Sequence, residues 1–381
     1  MHKIVVLGAG YAGMAAAASL AARTKRRDDV EITVVNATER FTERLRLHQL
    51  ATGQELADLH IPELLPRAEF VRGWVTDVDV DTRTVRVDDE RDIAYDTLVH
   101  ALGGVADTTA VPGADDHAHT LDSAHAAALL ARRLSTLDAG TVAVCGGGLT
   151  GVEAAAEIAE RHPHLAVVLL GRHEPGAELA PKARAYLDEA LARLGVLVRG
   201  GTEIVKVLPD GVRLADGETV AVDVVLWTGG VRVPALARGL DVDGHGRIVT
   251  DEALRSVSHP NVYAVGDAAA VTQKYGVLHG TCQGGMPTGV HAALSIVREL
   301  NGKAPKRFRF GYLHLPVSIG RHDGVIQFTR PDGAPRRFAL TGRRAVWYKE
   351  TVSSAPWPTF RRMWAFPRST AIWAHGGRYT R

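Results

Sequence analysis

An α/β fold laid down twice, followed by a smaller C-terminal α+β region, is what this sequence predicts. Two glycine clusters carry the prediction, Gly8-Ala9-Gly10-Tyr11-Ala12-Gly13 and Gly146-Gly147-Gly148-Leu149-Thr150-Gly151. Each follows an apolar β-run (Ile4 to Leu7; Thr141 to Val144) and opens an Ala-rich stretch of helical character. Glycines in such a turn let the backbone approach a pyrophosphate, and the helix behind it offers free N–H groups and the positive end of its dipole. Between a strand and a helix the G-x-G-x-x-G pattern becomes specific. The chain therefore reads as two Rossmann-like dinucleotide-binding domains, each a three-layer ββα unit. Two such sites imply two dinucleotides.

At 381 residues, with 46% hydrophobic and 23% charged residues, the chain has the size of two or three domains with full cores. Its two cysteines, Cys145 and Cys282, make no C-x-x-C pair, which points to a reducing, cytoplasmic setting. Met1-His2-Lys3 runs straight into the first strand, leaving no room for a signal peptide, and no apolar run is long enough for a membrane span. No metal site and no nucleic-acid partner are expected. The net charge is +2, but from Arg343 to Arg381 eight basic residues stand against the one acid Glu350. That tail also holds Trp347, Trp357, Trp364 and Trp373, four of the six tryptophans. Three readings of it are open: contact with an anionic membrane surface, packing on the chain's own body, or a homodimer interface.

Taken in order, Lys3 to Leu7 is a strand, Gly10 to Ala22 a helix, and Glu31 to Val35 a strand ending at Asn36. Phe70-Val71, Trp74 to Val78 and Thr84 to Val87 alternate apolar and polar residues and predict an antiparallel meander. Tyr95 to Leu102 forms a strand running into Gly103, and Val111-Pro112-Gly113 marks a crossover. The plan then repeats: a helix from Val152, a strand Ala166 to Leu170, a helix Pro181 to Leu194, short alternating strands to Leu214, and a strand Asp223 to Thr228 before Gly229-Gly230. Asn261 to Asp267 is a buried strand ending in an acid, with a helix expected from about Met286. The domain boundaries follow: 1–111 and 236–305 form one nucleotide domain, 112–235 the other, and 306–381 the basic, Trp-rich remainder.

This pattern resembles the two-dinucleotide flavoproteins that include type II NADH:quinone oxidoreductases, apoptosis-inducing-factor-like oxidoreductases and pyridine-nucleotide disulfide reductases, over roughly Lys3 to Leu300. The resemblance implies FAD on the first fingerprint and NAD(P)H on the second. Gly8, Gly10, Ala12 and Gly13 would hold the FAD pyrophosphate, and Asp267 would accept from a ribityl hydroxyl, or else cap the helix turn near Ala268. Asn36 stands where a ribose-binding acid is usual, a weaker partner for a hydroxyl. Arg44, Arg46 and His48 follow where the chain would cross the flavin; the arginines would face pyrophosphate or stand as exposed cations. Tyr11, Val75, Ala101, Gly103 and Met286 complete the implied FAD contacts.

On the nicotinamide side the resemblance assigns Gly146, Gly148, Leu149, Thr150, Gly151, Gly229 and Gly230. Glu153 would orient the ring or relay a proton, or simply sit in a helix's first turn. Leu170-Gly171-Arg172 has no carboxylate for a 2′-hydroxyl, and Arg172 would meet a 2′-phosphate, so NADPH is expected to be preferred over NADH. Gln283 matches one of two quinone-side glutamines, whereas Pro287 replaces the other. No cysteine stands between Ala37 and Gly53, so thiol chemistry at the flavin is not expected, with Cys282 the one candidate. The implied activity is hydride transfer from NAD(P)H to FAD and onward to a quinone-like small acceptor. A reductase serving a protein partner or a tailoring reaction, and a non-catalytic redox sensor, are the rivals. Location in the cytoplasm, or at the inner membrane face, goes with this reading.

Overall fold

The computed structural model describes residues 1–368 and 372–380. Two five-stranded parallel sheets organise it, in agreement with the α/β expectation. In the first, the strand His2–Leu7 lies between Val30–Asn36 and Thr97–His100, with Glu69–Arg72 and Val262–Ala264 at the two edges. In the second, Gly140–Cys145 lies between Leu165–Leu170 and Val224–Trp227, flanked by Leu197–Arg199 and Ala118–His119. Central strands such as Ile4 to Leu7 and Val142 to Cys145 are buried on both faces, which is why they are apolar throughout. The strand Val262–Ala264 completes the first sheet only after the chain has traversed the whole of the second.

The meander prediction needs one correction. Glu69–Arg72 pairs in parallel with Val30–Asn36 in the first sheet. The antiparallel meander consists of Val75–Asp79, Thr84–Val87 and Arg91–Ala94. Gly73 marks the break: a Cβ there would come within 2.4 Å of Val87, so the chain turns sharply between two strands that join different sheets. A matching three-stranded meander, Ile204–Leu208, Gly211–Leu214 and Thr219–Ala221, accompanies the second sheet.

The helix expected from about Met286 starts at Cys282 and runs to Glu299, with the Thr281 hydroxyl accepting from Gly284 N–H as its cap. Pro287 lies within it, in the second turn. This long helix packs on the first fingerprint helix, Tyr11–Thr24, at glycine distance. The C-terminal region is an antiparallel sheet, His314–Ile319, Asp323–Thr329 and Pro335–Thr341, followed by helices Arg343–Ser354 and Pro356–Ala365. Trp357, Trp364 and Trp373 pack against the core of the first unit, and Phe360 and Met363 are buried within it. Trp347 alone of the tail tryptophans is largely exposed.

Candidate functional site

The two fingerprint turns share one geometry. A Cβ on Gly13 would lie 1.9 Å from Gly8 O, and a Cβ on Gly151 would lie 1.9 Å from Gly146 O. Each turn is therefore closed by glycine against glycine. Gly8 and Gly146 have positive φ, and their faces press on the end of the neighbouring strand: Ala101 O in the first unit, Thr228 and Gly229 in the second. Gly103 and Gly230, also at positive φ, turn the chain away just beyond. Gly10 and Gly148, the N-caps of the two helices, are extended, and a Cβ on either would meet nothing within 4 Å. Each helix thus presents uncapped N–H groups to an open face, the cradle a pyrophosphate fits.

Around the first cradle, Tyr11 and Ala12 are buried, and Tyr11 packs edge-on against Phe41 with its hydroxyl unpartnered. Asn36 accepts from Ala9 N–H at 2.9 Å and donates to Thr38 O at 2.7 Å, so its amide braces the fingerprint turn itself. Val75 is buried in the meander. Arg44 donates to Gly104 O at 3.1 Å, beside Gly103. Arg46 is ion-paired with Glu350 at 2.9 Å. Arg44 is exposed, as one of the two readings has it, whereas Arg46 is half-buried in its ion pair.

Asp267 forms no side-chain cap in its short helical turn, and no donor among the described residues bonds its carboxylate. Burial pushes that carboxyl up, with Arg44 partly offsetting it. It lines a cleft of about 280 Å³ with Gly266, Thr281, Gly284, Gly285 and Thr288, at the start of the long helix. A half-buried acid without a donor is matched by a ligand bearing hydroxyls, and with the open cradle at Gly10 it fits FAD. Met286, half-buried, packs on the same core.

In the second unit Leu149 is half-buried, Thr150 is exposed, and Gly229 abuts the fingerprint turn. Arg172, largely exposed, pairs with Glu203 at 3.1 Å. The Glu153 carboxylate is drawn well inside the molecule. Its Oε1 accepts from Lys349 Nζ at 2.5 Å, from Ser318 N–H at 3.0 Å and from Ser318 Oγ at 3.1 Å. Burial alone would raise its pKa, but the Lys349 ammonium, His48 and the Ser318 N–H together outweigh that and hold the carboxyl below its usual range. His48 is buried beside it, and burial drives the imidazole down to about 4.

Gln283 donates to His314 O at 2.9 Å and accepts from Leu313 N–H at 2.7 Å, clasping the long helix to the C-terminal sheet. Cys282, in the first turn of that helix, is pushed up to about 11, chiefly by burial, and Cys145 in the second sheet up to about 12. Sequence reasoning missed Lys349, counted there among the charges of a basic tail, and also Ser318 and Glu157. Glu157 had a signal: it stands four residues after Glu153 on an Ala-rich helix, so both acids share one face.

Two turn-helix cradles of one geometry, on two parallel sheets, with an unpaired half-buried acid beside one and a lysine-paired acid beside the other, define an oxidoreductase of the two-dinucleotide class. The chain belongs to the pyridine nucleotide-disulphide oxidoreductase family, whose model matches residues 2–294. It is similar to an NADH dehydrogenase-like protein of Mycobacterium tuberculosis, at 29% identity over 93% of this chain and 94% of the relative. A type II NADH:quinone oxidoreductase of Staphylococcus aureus is 29% identical over 92% of this chain and 94% of its own length. Among solved structures, NDH2 from Plasmodium falciparum in complex with NADH superposes with a TM-score of 0.78 at 15% identity, covering 96% of this chain and 98% of that one. The family carries FAD and NAD(P)H, so this chain is an NAD(P)H oxidoreductase.

Proposed function

We propose that the chain passes electrons from NAD(P)H through FAD to a quinone-like acceptor, reached between the long helix and the C-terminal sheet. The observation that carries this reading is the buried Glu153–Lys349 pair, in which the C-terminal region supplies the cation to an acid of the second fingerprint helix. Bound flavin supplies the chemistry of taking a hydride and returning two electrons. Gly10 and Gly148 leave room for the two pyrophosphates, and Asp267 takes a ribityl hydroxyl. Burial holds the Glu153 carboxylate and the Lys349 ammonium away from water, where the carboxylate can take up a proton and pass it to the reduced acceptor. With both thiols held protonated by burial, no cysteine takes part.

Arg172 is the residue for a 2′-phosphate, which would displace Glu203 from it. Supporting the acceptor is the name of the Staphylococcus aureus relative, a type II NADH:quinone oxidoreductase. The test is steady-state turnover of the purified, FAD-loaded protein with a short-chain quinone. Reduction of the quinone is expected, with NADPH favoured over NADH by about tenfold, equivalent to about 1.4 kcal/mol. Arg172→Ala should abolish that preference. Failure to reduce any quinone while the flavin is bleached by NAD(P)H would assign the electrons to another acceptor.

A further inference from the structure

His48 sits between two acids. It lies on the short helix Leu47–Leu50, buried against the second fingerprint helix. Its Nδ1 faces Glu153 Oε2 at 4.0 Å and its Nε2 faces Glu157 Oε2 at 4.0 Å. Ser318 Oγ, which donates to Glu153, is also 3.3 Å from Nε2. Glu157 is fully buried, and its Oε1 accepts from the amide of half-exposed Gln54 at 2.5 Å. Its Oε2 has no partner. A carboxylate in that position would waste a buried charge, whereas a carboxylic acid has an O–H to give toward the ring.

We propose that Glu157 and His48 form a proton supply line that carries one proton per turnover from the Gln54 side of the molecule to Glu153. The inference rests on the quinone-type reading above. Quinone, NAD(P)H and one proton give quinol and NAD(P)⁺; the nicotinamide brings two electrons and one proton as hydride, so one further proton comes from solvent. In the transfer the Glu157 O–H bond breaks as Nε2–H forms on His48, and Nδ1–H breaks as Glu153 gains its proton. Rotation of the ring and protonation of Glu157 from solvent restore the start.

Each 4.0 Å gap closes to hydrogen-bond length with a movement of about 1 Å. Burial keeps the ring neutral; of the charged groups that face it, Glu153 and Glu350 favour an imidazolium, and Lys349 and Arg321 disfavour one. Glu157 faces Arg321, Glu160 and Arg161, and burial, against the Gln54 hydrogen bond, raises its pKa, which favours its protonated form.

The experiment compares Glu157→Gln and His48→Gln with wild type, using a short-chain quinone, which needs protons, and ferricyanide, which takes electrons only. The quinone rate should fall at least about tenfold in both variants, the ferricyanide rate by less than about twofold. A protonated-carboxyl band that shifts in ²H₂O should appear in infrared spectra of the wild-type protein and be missing from Glu157→Gln. An equal loss with both acceptors, an unchanged quinone rate, or no such band overturns the relay. A wild type that shows the band yet reduces no quinone overturns the acceptor reading instead.

Discussion

Lys349 donates to Glu153 and lies within 3.2 Å of Pro316 O, with 7% of its surface exposed. Replacing it with methionine leaves an acid of similar burial without its counter-charge, a change that costs about 3 to 5 kcal/mol when a buried pair is broken. Lys349→Met should therefore lower the urea midpoint at pH 7. In the wild type, Glu153 has a lowered pKa in the folded state, so its contribution is present above the unfolded carboxyl range and is lost as pH falls through the folded value. Without Lys349 the sign reverses: burial raises the pKa, and the deficit against wild type should narrow on acidification. Cys282 offers the opposite case. With its thiol pushed up to about 11, the thiolate fraction at pH 7 is on the order of 10⁻⁴. Cys282→Ser should retain quinone turnover in the steady state, and a loss beyond about 100-fold with FAD still bound would assign the thiol a redox role.

The elements meet at glycines that do different work. On the long helix, a Cβ at Gly289 would stand 2.1 Å from Ala12 O, so the two helices touch backbone to backbone. Gly289→Val should cost at least about 1 to 3 kcal/mol by forcing them apart, read as a lower urea midpoint of the apoprotein. Gly10, with φ −72° and nothing within 4 Å of its Cβ position, is free of that constraint. Gly10→Val should leave apoprotein stability nearly unchanged and abolish retention of FAD, measured by absorbance after gel filtration.

Elements such as these were legible in the sequence because local chemistry writes them: glycine spacing after an apolar strand, Asn36 at a strand end, Asp267 after Gly266. The Lys349–Glu153 pair was not, because it joins residues 196 positions apart and neither flank of Lys349 differs from a solvated helix. Glu69–Arg72 was misassigned for a similar reason. Its partner strand lies some thirty residues upstream, and alternation alone does not say which sheet a strand joins.

At the scale of the molecule, His48, His100 and His291 are each held by burial at about 4. Between about pH 6.5 and that value the unfolded chain binds protons that the folded chain refuses, so stability rises with pH there. Each histidine contributes up to about 1.4 kcal/mol per pH unit. Urea midpoints should drop steeply from pH 6.5 to 4.5, and a flat profile would contradict the burial of these rings. Among the described residues no helix is long and apolar enough to cross a membrane, and the tail is bound into the body through Phe360, Met363 and Trp357. A chain ending at Gly342 should be insoluble, and the full chain should stay below anionic vesicles on flotation. Salt-sensitive flotation would instead assign exposed Arg343, Arg344, Arg361 and Arg362 to lipid headgroups. The late arrival of Val262–Ala264 also orders events during synthesis. The second sheet has all its strands once residue 227 has emerged from a translating ribosome, whereas Thr97–His100 remains an open edge until residue 264 follows. The unit made first is finished last, and the nascent N-terminal half is the part of this chain with most need of a chaperone.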